Sequence, residues 1–449
     1  MVGHGAAGLS AALAAAETAR ARGIAARITV VERASPHECG GNSRWSPANI
    51  RMRSPQAMED GFVDSVAAPP ADRRYYERLA QEAPPTAAWL QRHGITFHSP
   101  PYYLARGPAR IQPVGGGAAL FEALWNAAKA AGIDFQYERP LHRLLMKDAS
   151  VVGVEAKGEI PADAVVLACG GFEGSDALLE RHFGPGASLM RRISPGTAFN
   201  DGAGIEAALA IGARRAGDWS GMHAEPVDAR SKASAPIVLV YPYGIVVDGE
   251  GQRFFDEGRG LVHETWEHFA REVHFRVPGR RAWAILDASL YDIPDFGRAI
   301  RSEIEPVKAE SVAQLAERLE LPALEKTLAA YNAAAPADAS RFDATRVDGL
   351  ASAPGLQPPK SNWARRLERA PFLAWPLEGA IVYTFGGVDT DAQARVLGAD
   401  GPLPGLYAAG EMTGHFHGTA PNSVAMLRAL VFGRIAGTQA VLAAEEATT

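Results

Sequence analysis

Two cysteines in 449 residues, Cys39 and Cys169, cannot build a disulfide framework or a cysteine-rich metal site. A reducing cytoplasm is the compartment this suggests. No run of about 18 uncharged apolar residues occurs, so no transmembrane helix is expected. The Ala-rich start carries Glu17, Arg20 and Arg22 and lacks a basic leader, so no signal peptide is expected either. Basic runs interleaved with aromatics are missing and the net charge is −6, which argues against nucleic acid as a partner. P-loop and G-x-S-x-G motifs are missing too, which argues against kinase and hydrolase chemistry. The only zinc-like pattern is His263-Glu264-Thr265-Trp266-Glu267-His268. Its histidines are five apart and do not share a helix face, so it reads as a solvated helix and no metal is expected.

What is present points to a nucleotide. The chain opens Gly3-His4-Gly5-Ala6-Ala7-Gly8 and runs straight into a helix. Glycines at these spacings allow a tight turn and close approach of backbone to a pyrophosphate, while the helix N-terminus offers free N–H groups. An apolar strand over 27–32 then ends in Glu32, placed to accept bonds from ribose hydroxyls, with Arg33 beside it. Only Met1 and Val2 precede Gly3, so the strand that normally launches this fingerprint is nearly missing. NAD and FAD both use the motif. The tail decides for FAD: Gly405 to Gly410 and Glu411 form a strand-turn ending in an acid, and a helix begins near Asn422, with Ser423 and Val424 in its first turn. Such an element brings a second helix N-terminus to the flavin pyrimidine, where charge accumulates on reduction.

The apolar spacing predicts helices over 5–22, 74–93, 117–131, 201–213, 262–272 and 311–335, and a long closing helix from 422 to 443. A second buried strand covers 163–169. The texture changes near 216, where Pro and aromatics increase, and 352–361 reads as a linker.

Several segments resemble the flavoprotein family of fumarate reductase and succinate dehydrogenase, with FAD-dependent tricarballylate dehydrogenases as the nearest members. They are Gly40-Gly41-Asn42-Ser43-Arg44 with Asn49-Ile50-Arg51-Met52, Leu167-Ala168-Cys169-Gly170-Gly171-Phe172, Pro359-Lys360-Ser361-Asn362-Trp363 and Phe385-Gly386-Gly387. The resemblance implies an α/β fold in which a Rossmann-like FAD-binding domain is interrupted by an α+β capping domain. The expected boundaries are 1–215 and 363–449 for the FAD domain and 216–362 for the cap. It implies noncovalent FAD, since no histidine stands at the attachment position. Cofactor contacts are expected from Gly40, Gly41, Asn42 and Ser43, from Ala168 and Gly170, and from Asn200 and Asp201. It further implies a small polycarboxylate substrate, oxidised or reduced at a C–C bond beside a carboxylate, and a separate electron acceptor, protein or quinone.

Candidate chemistry carries alternatives. Arg51, with Asn49, either forks a substrate carboxylate or pairs with Glu59 or Asp60. Glu257 and Arg259 either relay protons in the cap or belong to a structural ion-pair network. His415 and His417 either anchor substrate or pack a loop. Tyr383 stands where fumarate reductases carry a histidine, and Tyr291 where they carry the proton-donating arginine; each is either an acid/base group or a core tyrosine. No arginine occurs in His417–Asn422, where those enzymes have one. A 3-oxosteroid-like ketone substrate is therefore an alternative, and a non-catalytic flavin-binding module is a third reading.

Overall fold

A computed structural model describes residues 1–100, 104 and 107–448. It places the fingerprint on a mostly parallel sheet. Strand Thr29–Val31 pairs in parallel with Asp134–Gln136, and Val165–Leu167 with Gly401–Ala408. The two halves are joined by Val2, which bridges both Val31 and Leu167 in parallel. Its N–H donates to Val166 O at 2.9 Å and its carbonyl accepts from Ala168 N at 2.8 Å. Two residues thus do the work of the expected central strand. Arg395–Gly398 closes the edge in antiparallel fashion.

Two helices cross on this sheet. The first, Ala6–Arg22, starts at the fingerprint; the last, Ala425–Thr448, ends the described chain. They touch backbone to backbone: a Cβ on Gly437 would lie 1.9 Å from Ala11 O. Small residues are needed along this seam, which explains the Ala-rich N-terminus. The segment Ala425–Glu446 is long and apolar enough by length and composition to cross a membrane, contrary to expectation. Its apolarity is accounted for by the core that it shares with the first helix and with Arg73–Arg92.

A second, six-stranded sheet follows the order Met222–Asp228, Phe372–Thr384, Ala282–Leu286, Ile245–Val247. Val307–Ala309 and Arg191–Arg192 also pair with Phe372–Thr384. The sheet therefore draws strands from both sides of the span 216–362. Its register sets Tyr383 directly opposite His223. Helix Val262–Arg276 packs on it with Thr265, Glu267, Phe269 and Val273 buried, so it is not the solvated helix expected. The segment 352–361 is no loose linker. Lys360 is fully buried, and its ammonium donates to the carbonyls of Pro242 and Gly244 at 2.7 and 2.6 Å.

Candidate active site

One cavity of about 650 Å³ runs from the fingerprint to the wall formed by the second sheet and helix Val262–Arg276. Gly3 makes its turn at φ +107°, where a Cβ would sit 2.2 Å from Ala168 O. Gly5 is different: its φ is −80°, and a Cβ would find only Ser43 Oγ, at 3.4 Å, and Gly40 O, at 3.8 Å. No protein contact requires glycine there. The space it leaves belongs to the cavity, as a cradle for a closely approaching pyrophosphate requires. Ser43 Oγ accepts from Ala6 N at 3.1 Å and so ties the second glycine loop to the helix start.

Glu32 braces this end. Its carboxylate accepts from His4 N and Ala34 N at 2.8 and 2.7 Å and still borders the cavity, free to take a ribose hydroxyl. Burial pushes its pKa up against those bonds. Arg33 pairs with Asp201 across the same opening and donates to Phe199 O. Ala6, Ala7, Gly41, Asn42, Ala168, Gly170, Asn200, Gly410, Glu411 and Ser423 all line the cavity. Gly8, Gly40 and Val424 do not; they pack beneath it. The cradle, the ribose acid and two converging helix N-termini fit a dinucleotide with a flavin.

The far wall is built from charged side chains. His223 Nδ1 donates to Glu267 Oε2 at 2.8 Å, and its Nε2 lies 3.5 Å from Glu225 Oε1. Burial disfavours the charged ring, but the bonds and charges of Glu225 and Glu267 outweigh it and raise the pKa to about 9. The imidazolium stacks on Tyr383, centroids 4.8 Å apart. Burial, with the Glu267 charge, holds the Tyr383 phenol well above its ordinary range. Tyr383 borders the cavity, and no hydrogen bond from its hydroxyl to the described residues is formed.

Several candidates from the sequence fall elsewhere. Arg51 lines the cavity beside Asn49, but its fork is engaged: Nε donates to Glu59 at 2.6 Å and Nη2 to Ser65 Oγ at 2.9 Å. Glu257 is fully buried away from the cavity, bonded to Arg253 through both oxygens and to Val246 N. Arg259 points to solvent near Phe255. Tyr291 is 47% exposed and packs on Phe296. His415 lies in the core, stacked on Tyr75 at 3.6 Å and bonded to Thr390 Oγ1; burial pushes its pKa far down. His417 sits by Asp218, outside the cavity lining. Conversely, His223, Glu225, Glu267 and Arg428 line the cavity without having been singled out for it. Only the register opposite Tyr383 could have signalled His223. Among the described residues no cluster suited to a metal ion occurs.

The chain belongs to the FAD binding domain family, which matches residues 1–424, and FAD is the cofactor of this cavity. It is 28% identical over 472 residues to a probable fumarate reductase of Shewanella frigidimarina, covering 98% of this chain and 74% of that protein. It is 29% identical over 338 residues to a 4-oxocyclohexanecarboxylate 2-dehydrogenase of Sinomonas cyclohexanicum, covering 68% of this chain and 57% of that protein. Among solved structures, the open conformation of a flavocytochrome c3 fumarate reductase superposes with TM-score 0.78 at 27% identity, over 99% of this chain and 78% of that one. A 3-ketosteroid-Δ4-(5α)-dehydrogenase of Rhodococcus jostii shares the fold, with TM-score 0.70 at 24% identity over 98% and 95% of the two chains.

Proposed function

We propose that this FAD-dependent oxidoreductase acts on the CH–CH group beside a carboxylate of a small acid, with a tricarballylate-like polycarboxylate as the first substrate to test. The supporting observation is that one cavity joins the FAD cradle to the His223–Tyr383 wall. Bound FAD supplies a two-electron acceptor able to take hydride at N5. Tyr383 donates a hydrogen bond to a substrate oxygen; burial, with the Glu267 and Glu225 charges beside it, keeps it a neutral phenol rather than a base. Glu225, held less closely by His223 than Glu267 is, takes the proton that leaves carbon. The carboxylate lies toward Arg51, through its remaining Nη1, and toward Arg110. These two are neighbours because Glu59 bonds both Arg51 and the N–H of Ala109. FAD is held noncovalently, within a Rossmann-like domain that the cap covers.

A second reading rests on Tyr383 itself. A neutral donor in place of histidine suits a ketone oxygen, and a relative acts on a cyclic oxo acid. The test is anaerobic addition of tricarballylate, succinate and 4-oxocyclohexanecarboxylate to the FAD-loaded protein. Bleaching by a polycarboxylate supports the first reading. Bleaching by the oxo acid alone transfers the case to the second. No bleaching by any of them, with no reoxidation of the reduced protein by the matching unsaturated acids, contradicts both.

A further inference from the structure

Glu173 and Glu411 meet where Gly171 leaves no side chain: a Cβ there would lie 2.7 Å from Glu173 Oε2 and 2.1 Å from Glu411 Oε1. Both oxygens border the same small space. Glu173 is fully buried. Its Oε1 accepts from the amides of Asn42 and Asn200 at 2.9 and 2.6 Å. Among the described residues its Oε2 receives no N–H or O–H from a neutral or basic group. Glu411 accepts from Thr384 N at 3.0 Å and lines the cavity.

A buried carboxylate oxygen without a donor, facing a second carboxylate, is strongly unfavourable unless a proton lies between them. Among the described residues the surrounding charges balance the pair only in part. Arg428, from the closing helix, is the cation whose charge acts on Glu411. Arg192, from the strand at 191–192, donates to the Glu173 carbonyl but otherwise serves Asp176, Ser188 O and Met190 O. Tyr383, on the strand that carries Thr384, is a neutral phenol. One guanidinium and two acids call for one proton. The pair is also connected to the cofactor end. Asn42, which bonds Glu173, holds Val382 O with the same amide nitrogen and accepts from Ser194 and Thr197 with its oxygen. Burial and the neighbouring Glu411 charge push Glu173 well above the ordinary carboxylate range, and burial raises Glu411 as well.

We propose that Glu173 and Glu411 form a proton-sharing pair that compensates charge on the bound FAD. With oxidised, neutral flavin the pair holds one proton and one negative charge. Uptake of hydride, two electrons with one proton, leaves the flavin anionic, and the pair then binds a second proton from solvent. That proton is returned when the electrons leave. The inference rests on FAD binding and not on the identity of the substrate.

Glu173→Gln imitates the protonated acid: its oxygen still accepts from Asn42 and Asn200, and its amide donates to Glu411. The measurement is the flavin midpoint potential against pH, by dye equilibration, in the wild type, E173Q and the double variant E173Q/E411Q. The wild type and E173Q each keep one carboxylate to take up a proton, so they should share one slope, which exceeds that of the double variant by one proton per two electrons across neutral pH. A double variant with the wild-type slope would overturn the proposal. If the double variant fails to retain FAD, a reduced-minus-oxidised infrared spectrum of the wild type carries the test. A protonated-carboxyl band that grows on reduction supports the pair; a spectrum with no carboxyl change overturns it.

Discussion

The two ends of the cavity are built on opposite principles. The dinucleotide end is built mainly from backbone: glycines that clear space and N–H groups of two helix starts, with Glu32, 8% exposed, and the Arg33–Asp201 pair at its opening. At the far end the wall consists of paired side chains, His223 with Glu225 and Glu267, stacked on Tyr383. The first end is rigid and indifferent to which substrate is processed. The second depends on charge, and charge depends on pH. Changes at one end should therefore alter cofactor binding, and changes at the other should alter turnover.

The largest effect belongs to the backbone end. Gly3→Val forces a β-branched residue to φ +107° against Ala168 O and should give no folded protein. Gly5→Val meets no such obstacle, so the apoprotein should fold. The added bulk enters the cofactor cradle at a cost of about 1–3 kcal/mol, roughly 10- to 100-fold in FAD affinity. Circular dichroism and FAD titration separate the two.

Glu257→Gln comes next and tests the buried Arg253–Glu257–Lys360 cluster without touching the cavity. It leaves Arg253 and Lys360 buried without their partner, which typically costs about 3–5 kcal/mol. The melting temperature should fall sharply while the flavin spectrum below the transition is unchanged. An altered spectrum would return Glu257 to the site.

His223 makes the far wall pH-sensitive. Its folded pKa, about 9, lies above the unfolded value near 6.5. The stabilisation is therefore fully present below pH 6.5 and is lost as pH rises through 9. By linkage it amounts to at most about 3 kcal/mol. The melting temperature of the wild type should decline between pH 6.5 and 9 more steeply than that of His223→Gln. Parallel curves would show that the ring is not held charged.

Arg51→Ala removes the partner of Glu59 and Ser65 as well as a cation facing the cavity. A charge-assisted bond of this kind is worth about 1.5–3 kcal/mol. Part of this should appear as lost stability, and kcat/KM with carboxylates should fall roughly tenfold. Arg51→Lys should rescue little, because both arms of the fork are in use. The smallest effects should come from Arg259→Ala and Tyr291→Phe. Both side chains are exposed, so changes in stability should stay within about 0.5 kcal/mol, with flavin content and turnover held.

The contrast also explains what the sequence could convey. Gly3-x-Gly5-x-x-Gly8, Glu32 and the closing helix were legible because backbone sites need fixed spacings within one short segment. The far wall takes His223 from one strand, Tyr383 from its far-off antiparallel partner and Glu267 from a helix, and no short motif records that meeting. Charge was a poor guide in two places. His263 to His268 looked solvated, yet the helix turns Glu267 inward to His223. Glu257 and Arg259 left a proton relay and a structural ion-pair network both open; only Glu257 is buried, and it faces Arg253 and Lys360. His415 looked available from its place after Glu411, but the turn carries it into the core on Tyr75. In place of the nearly missing first strand, the main chain of Met1, Val2 and Gly3 bonds to both neighbouring strands.

The separation of the two ends is tested most directly by measuring, for Tyr383→Phe and His223→Gln, both the FAD dissociation constant and the rate of anaerobic flavin reduction by whichever acid bleaches the wild type. FAD affinity should remain within about threefold of the wild type while reduction slows at least about 100-fold, the usual scale for loss of a group positioned where charge develops. Flavin lost in step with activity, or reduction at the wild-type rate in both variants, would contradict it.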